Sequence, residues 1–512
     1  MAVRLRLSAT GFSALYRPSR CGKRVFLLAH EKPQGEPTEL DLLLKELGER
    51  HEKEHLATFA NVRDVSDGSL ADRAQRTRQA VESRFPVIYQ GVLRAVLPGG
   101  PPDPSPAPQD VVTGIPDFMI QEGSSYRIRD CKLSRSAEES AHPEIRRQLR
   151  TYGWLFERTF NREPAALEAY LGDGTLSAVP YAGAASAEKD LAALRDLSLL
   201  EREPWEPVGW SKCNACPFRE RCWSQAAESH DVSLVYGVDQ GTARALKDKG
   251  IPTYDDLLAG MDAEQLAGLT RKRGSTDQKV GAAAARIMAQ ARALATGRVI
   301  RLGTLSIPPG PVMMLDLEGM PPHNDALEMV YLWGMQMYGD GGPVAPYSPV
   351  VAGFGPGADR EAWEQFLADA AGVFRRHGAV PFIHWAEYER TKIRSYIQRY
   401  GDRDGIASRV LDGCFDLLRA VRDSLALPVP SYGLKVIERL CGYKRGMEDF
   451  GGDWSIARYL RASQSPDEAE RARIIADIAR YNQEDLQAMA AVLRWARGLA
   501  DAESGPADAQ PR

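Results

Sequence analysis

The sequence predicts an α/β, multidomain protein in which two regions of mixed strands and helices flank a helical middle segment. Three observations predict it. At 512 residues the chain is too long for one ordinary core, so two or three domains are expected. Residues 1–230 interleave strand and helix patterns, and from about 301 a second strand-and-helix alternation begins. Between them, residues 231–300 are Ala-rich and read as wholly helical, broken at Gly and Pro within GVDQGTARALKDKGIPTYDDLLAG. The expected divisions are 1–230, 231–300 and 301–500, with a disordered tail over 501–512. PGGPPDPSPAPQ (98–109) reads as a flexible surface loop between two strands.

Composition narrows the function classes. The chain is 44% hydrophobic and 26% charged, and 65 Lys+Arg against 69 Asp+Glu leave a net charge of −4. Any surface for nucleic acid must therefore be local. No apolar run is long enough to cross a bilayer, so no membrane partner is expected. The basic start MAVRLRLSATGFSALYRPSR lacks a continuous apolar stretch, so no secretory signal is expected and the cytoplasm is the expected compartment. Seven cysteines in such a chain favour thiols or metal ligands over a disulfide framework. Gly22-Lys23 is followed by Arg24, not the Ser or Thr of a Walker A loop, and no ATP-driven motor is evident.

The first candidate site lies on a hairpin. VVTGIPDFMI (111–120) and YRIRDCKL (126–133) read as strands joined by QEGSS. Side chains two apart on a strand share a face, so Asp130 and Lys132 project together while Cys131 points away. Pairing can bring Asp117 beside them. Two carboxylates and an ammonium suit phosphodiester hydrolysis, with the acids holding Mg²⁺ or Mn²⁺ and the lysine offsetting developing charge. Downstream, EIRRQLRTYGWLFE places Gln148 and Tyr152 on one helical face, with Arg147 and Arg150 nearby as a phosphate grip.

SKCNACPFRERCW spaces Cys213, Cys216 and Cys222 as C-x2-C-x5-C, a tight ligand loop. Three thiolates need a fourth partner for a tetrahedral zinc or a cubane cluster, and Cys21 is the candidate. Cys131, Cys414 and Cys441 read as small hydrophobes.

A second set of carboxylates follows. PVMMLDLEGMPP is an apolar strand carrying Asp316 and Glu318 on one face, and ARYNQEDLQAMAAVL places Tyr481 and Asp485 four apart on a helix. Carboxylates gathered from separate elements are what two-metal phosphoryl hydrolysis requires. In the middle segment, Gly237-Val238, Gly250-Ile251-Pro252 and Leu257 hint at a helix–hairpin–helix, with an ordinary helical linker the equal alternative.

These motifs resemble known families. His51 in GERHEKEHL, then Asp117, then Asp130 with Lys132, then Gln148 with Tyr152 resemble, in order, the RecB-like branch of the PD-(D/E)xK nucleases, which implies a restriction-endonuclease-like fold and His51 as a metal ligand. His51 and His55 also match the zinc-protease motif H-E-x-x-H, but no third ligand or substrate-binding strand is evident. In iron–sulfur RecB-like nucleases one cysteine precedes the nuclease motifs and three follow, so the resemblance implies a [4Fe–4S] cluster on Cys21, Cys213, Cys216 and Cys222, with zinc the runner-up. Asp316, Glu318, Tyr481 and Asp485 resemble the ribonuclease-H-like DEDD exonucleases. There H-N-A-x-F-D is replaced by His384-Trp385-Ala386-Glu387-Tyr388-Glu389, putting Glu389 where a metal-binding aspartate is usual, and Asp416 matches a further acidic position.

The whole order resembles a bacterial family of RecB-like nucleases that join both domains. It implies DNA processing in repair, recombination or defence, on DNA ends or single strands. A ribonuclease-H-like exonuclease acting on DNA or RNA through the C-terminal site, and a nucleic-acid-binding helicase partner with silent sites, are the alternatives.

Overall fold

A computed structural model describes residues 3–31, 38–98, 109–214, 216–274, 276–320, 328–447 and 451–501. Most of the expected 98–109 loop and the expected tail therefore lie outside the described residues.

In the first region the strand pattern folds into a six-stranded mixed sheet. Its order is Val62–Asp64, Val87–Tyr89, Phe118–Glu122, Ser125–Lys132, Ala166–Leu171, Leu176–Val179. The central hairpin is antiparallel with Phe118 opposite Arg129, and the Ser125–Lys132 strand runs parallel to Ala166–Leu171. A smaller sheet of Val3–Ser8, Gln109–Gly114 and Leu93–Val96 stands beside it. The helix Pro143–Phe160 begins with Pro in its first turn and stops at Asn161 in the left-handed region (φ 52°). Leu149, Tyr152, Trp154, Leu155 and Phe156 bury its apolar face in the core of this region. A Cβ at Gly114 would meet Leu155 Cδ1 at 2.6 Å and Tyr152 Cδ1 at 2.7 Å. The glycine of Gly-Ile-Pro-Asp therefore lets this helix approach the strand that leads to Asp117.

The middle segment is helical over Gln240–Asp248, Tyr254–Gly260, Ala263–Gly268 and Ala284–Thr296. It is not wholly so. Thr270–Arg273 pairs antiparallel with Thr276–Lys279 around Gly274 (φ 60°). Threonines at the strand ends and a glycine able to turn outweigh the helical leaning of the surrounding alanines.

The last region is built on a second six-stranded sheet. Val312–Met320 lies at its centre, antiparallel to Met329–Gly339 and parallel to Phe382–His384, which in turn runs parallel to Cys414–Asp416. The run Val312–Leu315 is buried on both faces, as a strand covered by helices on each side must be. The 34-residue helix Glu468–Asp501 packs across it. The regions touch in several places. Leu43 and Leu47 of helix Glu39–Leu56 meet Ala457 of helix Gly452–Gln464, and Gln290 donates to the Tyr432 hydroxyl. No described helix is long and apolar enough to cross a membrane.

Candidate functional site

The hairpin delivers its side chains as the strand period requires. Asp130 is 3% exposed, and its Oδ2 pairs with the Lys132 ammonium and accepts from Gln148 Nε2 at 3.2 Å. Gln148 Nε2 also lies 2.7 Å from the Tyr152 hydroxyl, which donates to the Ile115 carbonyl at 3.2 Å. The expected strand over 111–120 divides into Gln109–Gly114 and Phe118–Glu122 of different sheets, and Asp117, at the bend between them, accepts from the Cys131 amide at 2.7 Å and Gln90 Nε2 at 3.1 Å. Burial, and then the neighbouring charges of Asp130 and Glu52, push the Asp117 carboxyl well above the usual range. Burial alone would lower the Lys132 ammonium, but the Asp130 carboxylate raises it, so Lys132 stays charged.

Glu52 was not among the expected residues. Gln90 joins it to Asp117 by donating to Glu52 Oε1 at 2.5 Å as well. Gln90 holds a left-handed backbone (φ 58°), unusual outside glycine and a mark of a shaped site. The signal was at hand, since Glu52 lies next to His51 in the same helical motif.

His51 is not drawn into this acid cluster. Its ring stacks on Tyr170 at 4.9 Å, with Nε2 3.5 Å from the Tyr170 carbonyl. His55 stacks on Tyr170 at 3.9 Å, and its Nε2 takes the Arg129 guanidinium at 3.0 Å. Burial, then Arg129, hold His55 down at about 4. That nitrogen is occupied by a cation, which removes the zinc-protease arrangement. Arg147 and Arg150 also differ from expectation. Arg147 is committed to Glu139 (2.5 Å), Asp190 (3.5 Å) and the Tyr16 ring, and Arg150 to Glu139 at 3.3 Å. Glu139 and Asp190 already balance these two arginines.

In the last region, Asp316, Glu318 and Asp485 bring one carboxylate oxygen each to within 4.8 Å of one another. Burial comes first, and then the trio's own charges, in raising Asp316 well above its usual range and Glu318 to about 8. Asp485 is raised by burial, against the pull of Arg445, which donates to its Oδ1 at 2.6 Å. Three repelling acids and oxygen-only donors are the chemistry of a site for a hard divalent cation. Asn482 Nδ2 donates to Asp316 Oδ2 at 2.6 Å, and Ser455 donates to Glu318 Oε2 at 2.8 Å. A Cβ at Gly334 would sit 2.0 Å from Asn482 Oδ1, so glycine there admits the amide.

Glu389 is 3% exposed beside this trio without joining it. Its Oε2 is 3.6 Å from His384 Nδ1, and its charge is felt at Asp316. Tyr481 is buried and feels all three acids, with the Lys435 ammonium 5.4 Å from its ring. Asp416 is spent capping helix Leu417–Ser424, where it accepts from the Arg419 amide.

The four cysteines converge although Cys21 and Cys213 stand 192 positions apart in the chain. Burial raises the Cys222 thiol to about 11, Lys23 opposes this, and the charges of Cys216, Cys213 and Cys21 add to it. Phe26, Leu27 and Phe218 close over Cys216 and Cys222. Lys212, paired with Glu206 at 2.8 Å, and Lys23 bring positive charge to the thiols. Among the described residues, no three of these sulfurs lie mutually within 4.8 Å.

Comparisons with known proteins match each of the two regions to a superfamily. Residues 14–223 match the PD-(D/E)XK nuclease superfamily, and residues 313–497 match the RNase_H superfamily. No curated protein matches the chain. A crystal structure of the protein SSO0001 is similar at 14% identity, over 36% of this chain and 97% of that chain, with a TM-score of 0.20, too low to carry an argument. The chain thus joins a PD-(D/E)XK nuclease superfamily domain to an RNase_H superfamily domain, which supports a hydrolytic nuclease acting on nucleic acid.

Proposed function

We propose that the protein is a Mg²⁺- or Mn²⁺-dependent DNA nuclease of the RecB-like type, cutting as an exonuclease on ends or single strands in repair, recombination or defence. The seating of Asp130 between Lys132 and Gln148, beside a raised Asp117, carries this reading. Asp117 and Asp130, with Glu52 joined through Gln90, would hold the cation, and His51 would have to leave the Tyr170 ring to join them. The donors other than His51 are oxygens, as such ions prefer. When bound, the ion polarises the phosphate and acidifies water. Lys132 places a fixed positive charge where the phosphate gains negative charge. Gln148 and Tyr152 hold Asp130 in position.

One observation favours a second reading, in which the C-terminal site is the principal activity on DNA or RNA. Asp316, Glu318 and Asp485 are the closer-gathered set, and Tyr481 and Glu389 stand beside them. There the ion would be held by the trio, with Glu389 taking the place of the usual aspartate. Nucleic-acid binding alone, as a helicase partner in the cytoplasm with both sites silent, is the remaining alternative.

For the cysteines we infer a [4Fe–4S] cluster, with zinc the rival. Cleavage of end-labelled and circular DNA by wild type, Asp130→Ala and Asp316→Ala tests the function. An absence of cutting of DNA or RNA with either metal would leave the binding role.

A further inference from the structure

The C-terminal carboxylates open into a cleft of ≈ 730 Å³ that the last region does not build alone. Asp316, Asp485, Trp385, Lys435 and Arg439 form one part of its wall, and Trp210, Asn214, Arg219 and Glu220 form the other. The latter four belong to the cysteine loop, almost 100 residues before the RNase_H match begins. Trp210 is 42% exposed, high for an indole set in a wall. The Arg219 guanidinium lies over one face of its ring, 4.6 Å from the centroid, and Trp223 meets it edge-on at 6.0 Å. A Cβ at Gly433 would come within 3.8 Å of the indole, so its edge rests against the last region. On the facing wall, the buried Trp385 Nε1 has no hydrogen-bond partner among the described residues.

We propose that this composite cleft binds single-stranded nucleic acid, with a base stacked on Trp210 and the backbone phosphates beside Arg219, Lys435 and Arg439. The proposal rests on the nucleic-acid reading of the C-terminal site and adds that the N-terminal cysteine loop supplies its substrate wall. An exposed indole with a guanidinium beside it is chemistry that bases and phosphates share. A duplex keeps its bases stacked inward and offers Trp210 no open face. The volume lies within the range of about 300–1,000 Å³ common to small-ligand sites, room for an end or a single strand.

Photo-crosslinking in EDTA, which halts hydrolysis, tests the cleft with 15-mers carrying one 5-iododeoxyuridine or one 5-iodouridine, and the adduct is mapped by mass spectrometry. The expected adduct is on Trp210. Trp210→Leu, which keeps apolar bulk against Gly433 without the π surface, should abolish it and weaken single-strand affinity at least about fivefold, the lower end for one base stack. Trp210→Phe should restore most of the affinity, and Arg219→Gln should weaken the salt dependence. The relative yields of the two probes tell DNA from RNA as the better occupant. Adducts only outside this wall, or equal losses of duplex and single-strand affinity in Trp210→Leu, would overturn the proposal. The readout needs no cleavage. A Trp210 adduct on a chain that cuts nothing would support the cleft and sink the nuclease reading, and cutting without the adduct would do the reverse.

Discussion

The Asn482 amide donates to Asp316 Oδ2 at 2.6 Å, and its oxygen accepts from the Tyr347 hydroxyl at 2.5 Å. One helical turn thus carries a residue that steadies the first acid of the trio and, three positions on, Asp485 itself. Removing the amide leaves Asp316 facing its repelling neighbours without that donor. Asn482→Ala should lower activity assigned to the C-terminal site by about 10- to 100-fold, the usual effect of losing a partner of a metal ligand. It should also cost about 1–3 kcal/mol of stability through the orphaned Tyr347 hydroxyl. Single-turnover cleavage and denaturant melts check the two effects separately.

Mutual repulsion within the trio makes a prediction of opposite sign for a change at Asp316. In EDTA, Asp316→Asn should melt a few degrees above wild type, because it removes a carboxyl that burial and the charges of Asp485 and Glu318 hold well above its usual range. Added Mg²⁺ or Mn²⁺ should raise the wild-type midpoint more than the variant's, since the ion stabilises only what it binds. Paired thermal melts with and without metal decide it.

His55 should make the protein sensitive to acid. Its folded pKa is depressed from 6.5 to about 4 by burial and Arg129, so the unfolded chain takes up a proton across this window and the folded one does not. Its contribution to stability is fully present above pH 6.5 and is lost as pH falls from 6.5 toward 4. His55→Phe keeps a ring against Tyr170 and removes the titration. The difference in melting midpoint between the two proteins should therefore change across pH 6.5 to 4 and stay flat above pH 7.

Anaerobically purified protein should be brown and hold about four irons per chain. Cys21→Ser or Cys222→Ser should lose both colour and iron, because each takes away one of four thiolates from opposite ends of the region. Metal analysis and visible absorbance read the outcome, and a colourless protein with one zinc per chain would refute the cluster.

Local periodicity carried the parts of the sites that one element supplies. Spacing of two on a strand placed Asp130 with Lys132 and Asp316 with Glu318, and spacing of four on a helix placed Gln148 with Tyr152 and Tyr481 with Asp485. What stayed hidden arrives from elsewhere in the chain. Gln90 reaches Asp117 from a strand end through a left-handed backbone, Ser455 and Arg445 approach the second trio from separate segments, and Trp210 crosses from the cysteine loop. Arg147 and Arg150 were legible as charge but not as partnered charge, because Glu139 and Asp190 meet them only in three dimensions. The hairpin over 270–279 escaped because its strands are short, highly charged and without an apolar alternation to read.

The most direct test of a metal-dependent nuclease centred on the hairpin is the rate of cleavage of 5′- and 3′-labelled DNA in Mg²⁺ or Mn²⁺ by wild type, Asp130→Ala and Asp316→Ala. The account predicts that Asp130→Ala loses at least about 100-fold, the scale on which removing a transition-state charge stabiliser acts, and that the end from which label is released tells the polarity. Cutting at the wild-type rate by Asp130→Ala, with loss only in Asp316→Ala, would contradict it.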